Sequence, residues 1–231
     1  MSESFFTLFS ALNSCGYDAG LAESLPVREA ITSDLQAITQ KSQKASSSRN
    51  AICQFWMEHK GANGQNDLSQ YVSLALELSE PPAFKPEIPE GDMPPDAAYV
   101  LGIVPLLRTY YQVAGIHQLW EKHQGAYDSL VKQLHDPVSA LINQTDIFLK
   151  LPFATYPNQR FAVYLEPQLS PGKIEARNYG NNYYLVYSPD KQGKIPRNEI
   201  RHTYLHFVLD PLAASHGTSL KRLEPILLDI R

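Results

Sequence analysis

Three absences narrow the classes of protein that this sequence of 231 residues can encode. It has no lysine and arginine cluster able to neutralise a phosphate backbone, and 24 acidic side chains outnumber 20 basic ones, which argues against nucleic acid as a partner. It has no apolar run long enough to cross a bilayer, so no membrane span is expected. It also lacks GxSxG, P-loop and GxGxxG motifs, so serine-hydrolase and nucleotide-binding interpretations have no support.

Cysteine is scarce, since Cys15 and Cys53 are the only two and form no CxxC motif. They could pair in an oxidising compartment, but the pattern favours two buried free thiols.

The composition predicts a soluble protein. The start of the chain, MSESFFTLFSALNS, shows no basic n-region and no cleavage site, which leaves the compartment open between the cytoplasm and export with a signal removed.

The first part of the chain is predicted to be mostly helical. SFFTLFSALNSC and VREAITSDLQAIT show three- and four-residue apolar spacing, separated by glycine and proline. QYVSLALEL is compatible with either a helix or an alternating strand. The proline-rich run 81–95 predicts an extended connection, after which helical periodicity returns with a kink expected at Pro105.

The apolar period changes from 3.6 to 2 at about residue 148. RFAVYLEP, GKIEARNYG and NYYLVYSP predict an antiparallel meander, followed by a helix that begins with Asn198 as its N-cap and ends at Asp210, before Pro211. The predicted class is α+β. A helical region, 1–147, precedes a small antiparallel sheet and one histidine-bearing helix, 148–231, within one integrated domain, 1–231.

The predicted last helix carries two histidines four residues apart, in the sequence HTYLH. On a helical wheel, one side is apolar and would pack on the sheet: Ile200, Tyr204, Phe207 and Val208. The opposite side collects potential metal ligands and their hydrogen-bond partners: Glu199, His202, Thr203, His206 and Asp210. Two imidazoles at i and i+4 can bind one tetrahedral zinc ion, although the same spacing also occurs where histidines make only structural hydrogen bonds.

HTYLHFVLDP resembles the active-site helix of the zincin-like metallopeptidases, and in particular an uncharacterised bacterial domain whose helix carries HExxH. Further segments are similar to that family in the same order: FWMEHKG with YVSLALELSEPPAF, then VPLLRTYYQVAGIHQLWEKHQGAY, then the tyrosine-rich sheet with NYG. The resemblance covers roughly residues 50–211. It implies a zincin-like fold, His202 and His206 as zinc ligands, and a peptide or protein as substrate or ligand.

The chain departs from the family at Thr203, which stands where HExxH has its glutamate. That glutamate polarises the zinc-bound water and transfers its proton, and losing such a general base commonly costs about 10²- to 10⁴-fold in rate. A threonine hydroxyl is not a base near neutral pH. Glu199, one turn before His202, is the alternative carboxylate, and Asp210 is expected to orient His206 rather than to bind metal.

The resemblance also implies a third zinc ligand on a later helix. Glu224 is the first candidate for it and His216 the second. Tyr184, with its tyrosine and asparagine neighbours, could stabilise an oxyanion beside the metal, although aromatic residues also pack well on sheets. Two functions follow: a metallopeptidase-type domain with a degenerate HExxH motif, or a noncatalytic peptide- or partner-binding domain that retains the zincin-like fold.

Overall fold

A computed structural model describes residues 2–60, 68–150 and 160–228, with the backbone alone for residues 212 and 214–228. Helices precede a small sheet and a final helix, which confirms the predicted α+β class. The helices are α1 Glu3–Ser14, α2 Pro26–Lys41, α3 Gln43–Glu58, α4 Ser69–Leu76, α5 Pro95–Tyr99, α6 Val104–Val113, α7 Ile116–Leu149 and α8 Arg197–Leu228. The strands are β1 Arg160–Leu165, β2 Ile174–Tyr179 and β3 Asn182–Tyr187.

The helical half is organised around α1. This helix begins after Ser2, whose hydroxyl accepts the N–H of Phe5, and it is buried from Ser4 to Asn13 because other helices surround it. Most of QYVSLALEL lies in α4, a helix buried on several sides, which explains why its apolar residues showed no clear period. Pro105 lies in the first turn of α6 rather than at a kink, since an N–H at that position would have no helical partner.

The three strands form a mixed sheet in the order β1–β3–β2, so the predicted antiparallel meander is wrong in its arrangement. β2 and β3 do form an antiparallel hairpin, closed by a turn in which Gly180 has a φ of 59°. β1 instead pairs in parallel with β3, Arg160 lying opposite Asn182. The segment between β1 and β2 therefore has to cross the end of β3. Its residues Glu166 and Gln168 are buried in the helical half instead of forming a short surface turn.

Helices cover β3 on both faces. Val186 packs with the helical half on one face, and Leu185 packs with Leu134 of α7 and Ile200 of α8 on the other. In a third cluster, Tyr183 of β3 packs with Tyr204, Phe207 and Val208 of α8, which confirms the predicted apolar side of this helix. Successive side chains of β3 therefore belong to opposite sides of the molecule.

α8 is longer than the sequence predicted. It begins at Arg197 and runs to Leu228, so Asn198 lies in its first turn and the predicted end at Asp210 is wrong. Pro211 removes one backbone hydrogen bond but does not stop the helix, just as Pro137 lies inside α7.

Cys15 and Cys53 form a disulfide, so the expectation of two free thiols is wrong. The bond connects the end of α1 with α3, and the two Cα atoms lie 5.1 Å apart. The spacing of the two cysteines along the chain carried no information on this proximity, which arises from the packing of α1 against α3.

A buried polar network connects the helical half to the crossover segment after β1. Arg28 is fully buried, and its guanidinium donates hydrogen bonds to the Asn13 amide oxygen, the Ser24 hydroxyl, and the carbonyls of Tyr17, Ala19 and Leu169. The network continues on the side of α7. There, the Tyr127 hydroxyl and the backbone N–H of Gln168 both donate to one carboxylate oxygen of Glu166, each at 3.0 Å.

Burial raises the pKa of the Glu166 carboxyl from 4.5 to about 7, although hydrogen bonds from Gln168 and Tyr127 and the charge of Arg28 act in the opposite direction. Below the unfolded-state pKa, both states hold the proton and this group does not affect stability. As pH rises toward the folded-state pKa, the unfolded chain releases the proton first, so the folded state loses stability.

We therefore expect Glu166→Gln to raise the free energy of unfolding by up to about 3 kcal/mol at about pH 8 and to change it little at about pH 4. Glutamine keeps an acceptor oxygen for Tyr127 and Gln168 but cannot ionise. Urea unfolding of both proteins across this pH range measures the difference. A gain that does not vary with pH would show that ionisation of Glu166 is not its cause.

Candidate functional site

The two histidines of α8 lie side by side on the surface of the helix. The ring centroids of His202 and His206 are 4.7 Å apart, with the rings inclined at 77°. Both side chains are exposed, and that of His206 is 54% accessible. An ion can therefore approach both rings directly from solvent.

Asp210 pairs with His206 one turn further along α8. Its carboxylate oxygens lie 3.1 and 3.2 Å from Nδ1 of His206. A carboxylate in this position orients the imidazole and leaves Nε2 as the metal-binding nitrogen. Asp210 itself is 49% exposed, so the whole arrangement is open to water.

Thr203 is buried at the edge of the apolar side of α8, whereas the wheel placed it on the polar side. Its hydroxyl donates to the Glu199 carbonyl at 3.0 Å, a bond that lies within the helix itself. The Glu199 side chain is exposed one turn before His202. The side chain at the position of the HExxH glutamate therefore has its only polar group engaged with the backbone.

Tyr184 lies on the opposite face of the sheet from the histidines. Its ring contacts those of Tyr164 and Tyr179, with centroids 6.1 and 6.0 Å away. The structure therefore does not bring Tyr184 together with His202 and His206.

Tyr183 is the tyrosine of β3 that faces α8. It packs edge-on against Phe207, and burial and the nearby charge of Asp210 raise the pKa of its hydroxyl. This orientation could be predicted from the sequence, because side chains alternate along a strand and Tyr183 therefore points to the same side as the apolar Leu185, which packs against Ile200 of α8.

A third metal ligand is not provided by the described side chains. Among them, no group of three or more histidine, cysteine, aspartate or glutamate residues is arranged to hold a metal ion. The side chains of Glu224 and His216 lie outside the described residues. Among the described side chains of α8, the donor set consists of two imidazoles, which suit zinc and leave two tetrahedral positions for water or other ligands.

The other described histidines have contacts of their own. Nδ1 of His59 lies 2.8 Å from the Phe55 carbonyl, and its ring stacks on that of Phe55. The remaining three lie beside carboxylates: His117 with Glu3, His123 with Asp34 and His135 with Asp136. Their contacts account for them as structural residues.

No protein-family model, no curated protein and no solved structure matches the chain. Within 2–60, 68–150 and 160–228, no helix combines the length and the apolar character that a membrane span requires.

A cleft that the sequence did not predict lies between the proline-rich run and the β2–β3 hairpin. Its volume is about 740 Å³, and the end of α4 contributes Leu76 to its lining. The residues that line it are Leu76, Glu77, Glu87, Ile88, Pro89, Asp92, Met93, Pro94, Pro95, Asn178, Tyr179, Gly180, Asn182 and Tyr184. It could not be found from the sequence because the run 81–95 folds back on the end of α4: the N–H of Glu87 donates to the Glu77 carbonyl at 2.8 Å.

Proposed function

We propose that the protein is a noncatalytic binding domain of the zincin-like type that holds a zinc ion on His202 and His206. The observation that carries the proposal is the arrangement of these two imidazoles, one turn apart, adjacent and exposed, with Asp210 orienting the second. Bound zinc would act there as a Lewis acid toward groups that enter its open coordination positions.

The residues around the pair favour binding over hydrolysis. The carboxylate of HExxH is missing, and the Thr203 hydroxyl in its place donates a hydrogen bond to the Glu199 carbonyl. Asp210 is engaged with His206, and Tyr184 lies across the sheet. Glu199, the other described carboxylate on this side of α8, is exposed and has no described partner, so it is not held in place as the general base that peptide hydrolysis requires. The described part of the chain thus offers ligands for an ion without a positioned base.

The proposal predicts that His202→Ala and His206→Ala each weaken zinc binding by at least about tenfold, because each removes one of the two imidazole ligands. Competition with a chromophoric zinc chelator near neutral pH measures the affinity. His135→Ala is the matched control, since His135 is an exposed helical histidine that pairs with a carboxylate and has no second imidazole beside it. Unchanged zinc affinity in both α8 variants would refute the metal site.

A peptidase assay addresses the missing base separately. Zinc-loaded wild type is expected to cleave a casein substrate no faster than the double variant His202→Ala/His206→Ala. Cleavage by the wild type that the double variant loses would overturn the noncatalytic proposal. Thr203→Glu, with its folding checked by circular dichroism, tests whether the carboxylate alone restores hydrolysis.

A further inference from the structure

The cleft between the proline-rich run and the β2–β3 hairpin contains an unpaired buried carboxylate. Glu77, just after α4, is only 7% exposed and lines this cleft. Its carboxylate forms no hydrogen bond or ion pair with any residue that the structure describes. The Glu77 oxygens are not among the enclosed side-chain atoms without a partner, so the carboxylate faces the cleft, where a cationic ligand can pair with it without displacing a protein contact.

The charge around Glu77 has one sign. Glu87 and Asp92 also line the cleft, and the nearby charge of Glu87 adds to the effect of burial in raising the pKa of Glu77. The described lining residues include no lysine, arginine or histidine. Arg177 precedes the lining residue Asn178 on β2 and is engaged with Glu175 and Ser73. Arg160 is exposed near Tyr184.

The walls of the cleft distinguish an organic cation from a metal ion. Its three carboxylates are not arranged to hold a metal together. Apolar and aromatic side chains form much of the remaining surface, among them Tyr184 and the buried Met93. Such walls favour the alkyl stem of an ammonium or guanidinium group, whose charged end an aromatic face also attracts.

We propose that this cleft binds an amine or guanidinium group carried on an apolar stem, with Glu77 as its counter-ion. The basic side chain of a peptide and a free alkylamine present this same chemistry. The proposal is independent of the zinc site, because the cleft and the histidines lie on opposite sides of the sheet.

Three probes test the proposal by isothermal titration calorimetry on the whole chain: N-acetyl-L-lysine amide, n-butylamine and the uncharged N-acetyl-L-norleucine amide. Binding of at least one amine, about tenfold or more tighter than the norleucine amide, is expected. A preference for the lysine amide identifies a peptide as the source of the cation, and a preference for butylamine identifies a small amine. Equal binding of all three probes, or no binding, overturns the proposal.

Glu77→Gln is expected to weaken amine binding by about 10- to 100-fold, the usual effect of losing one charge-assisted hydrogen bond. The variant should fold at least as well as the wild type, because it removes an unpaired buried charge. Glu90→Gln makes the same charge change on an exposed residue nearby that does not line the cleft, and it should bind normally. Equal losses in both variants, or Ca²⁺ binding that Glu77→Gln abolishes, would overturn the assignment.

Discussion

Arg28→Met is expected to lower the free energy of unfolding by about 3 to 5 kcal/mol. Methionine fills a similar volume but donates no hydrogen bond, so Asn13, Ser24 and three backbone carbonyls lose a buried donor at once. The substitution also removes a positive charge that favours the ionised form of Glu166. Urea unfolding followed by circular dichroism measures the loss.

Arg49→Met provides the matched control for Arg28→Met. Arg49 is only partly buried, and its guanidinium donates one hydrogen bond, to the Ser14 carbonyl. Its replacement should cost about 1 kcal/mol. If the two substitutions destabilised the protein equally, the Arg28 network would contribute no more than a single hydrogen bond.

Loss of the Cys15–Cys53 disulfide is expected to lower the free energy of unfolding by about 4 kcal/mol, because the unfolded chain would regain the conformational freedom of the closed loop. The loop is long, since the two cysteines are separated by 38 positions. Unfolding in urea with and without dithiothreitol measures the effect on the wild type.

The double variant Cys15→Ala/Cys53→Ala serves as the control for the reductant. It should be as unstable as the reduced wild type and should not respond to dithiothreitol. Alkylation of the unfolded, unreduced protein should label no thiol, since both cysteines are paired. Two labelled thiols per chain in protein kept under oxidising conditions would contradict the disulfide.

The sequence predicted elements better than it predicted their arrangement. The change of period near residue 148 located the strands correctly, because alternation is a local property of the chain. The order β1–β3–β2 depends on Glu166 and Gln168, polar residues that are typical of a surface turn but are buried with Tyr127 of α7. Hydrogen bonds between polar groups so far apart in the chain leave no pattern in the local sequence from which they could be predicted.

The same distinction applies to the candidate site. The helical wheel correctly placed Ile200, Phe207 and Val208 against the rest of the fold. It did not show that Thr203 lies at the buried margin, because that depends on which neighbours cover the helix. The cleft around Glu77 required residues from three separate segments and was therefore invisible before the fold was known.

The alternation along β3 has a consequence for how the two proposed sites could be altered. Tyr183 and Tyr184 are consecutive, yet one lies against α8 and the other lines the cleft. A one-residue slip of β3 relative to its neighbouring strands would exchange these roles, so both surfaces would be disrupted by the same event. Point substitutions, in contrast, can change the chemistry on one face of the three-stranded sheet while the other face keeps its own.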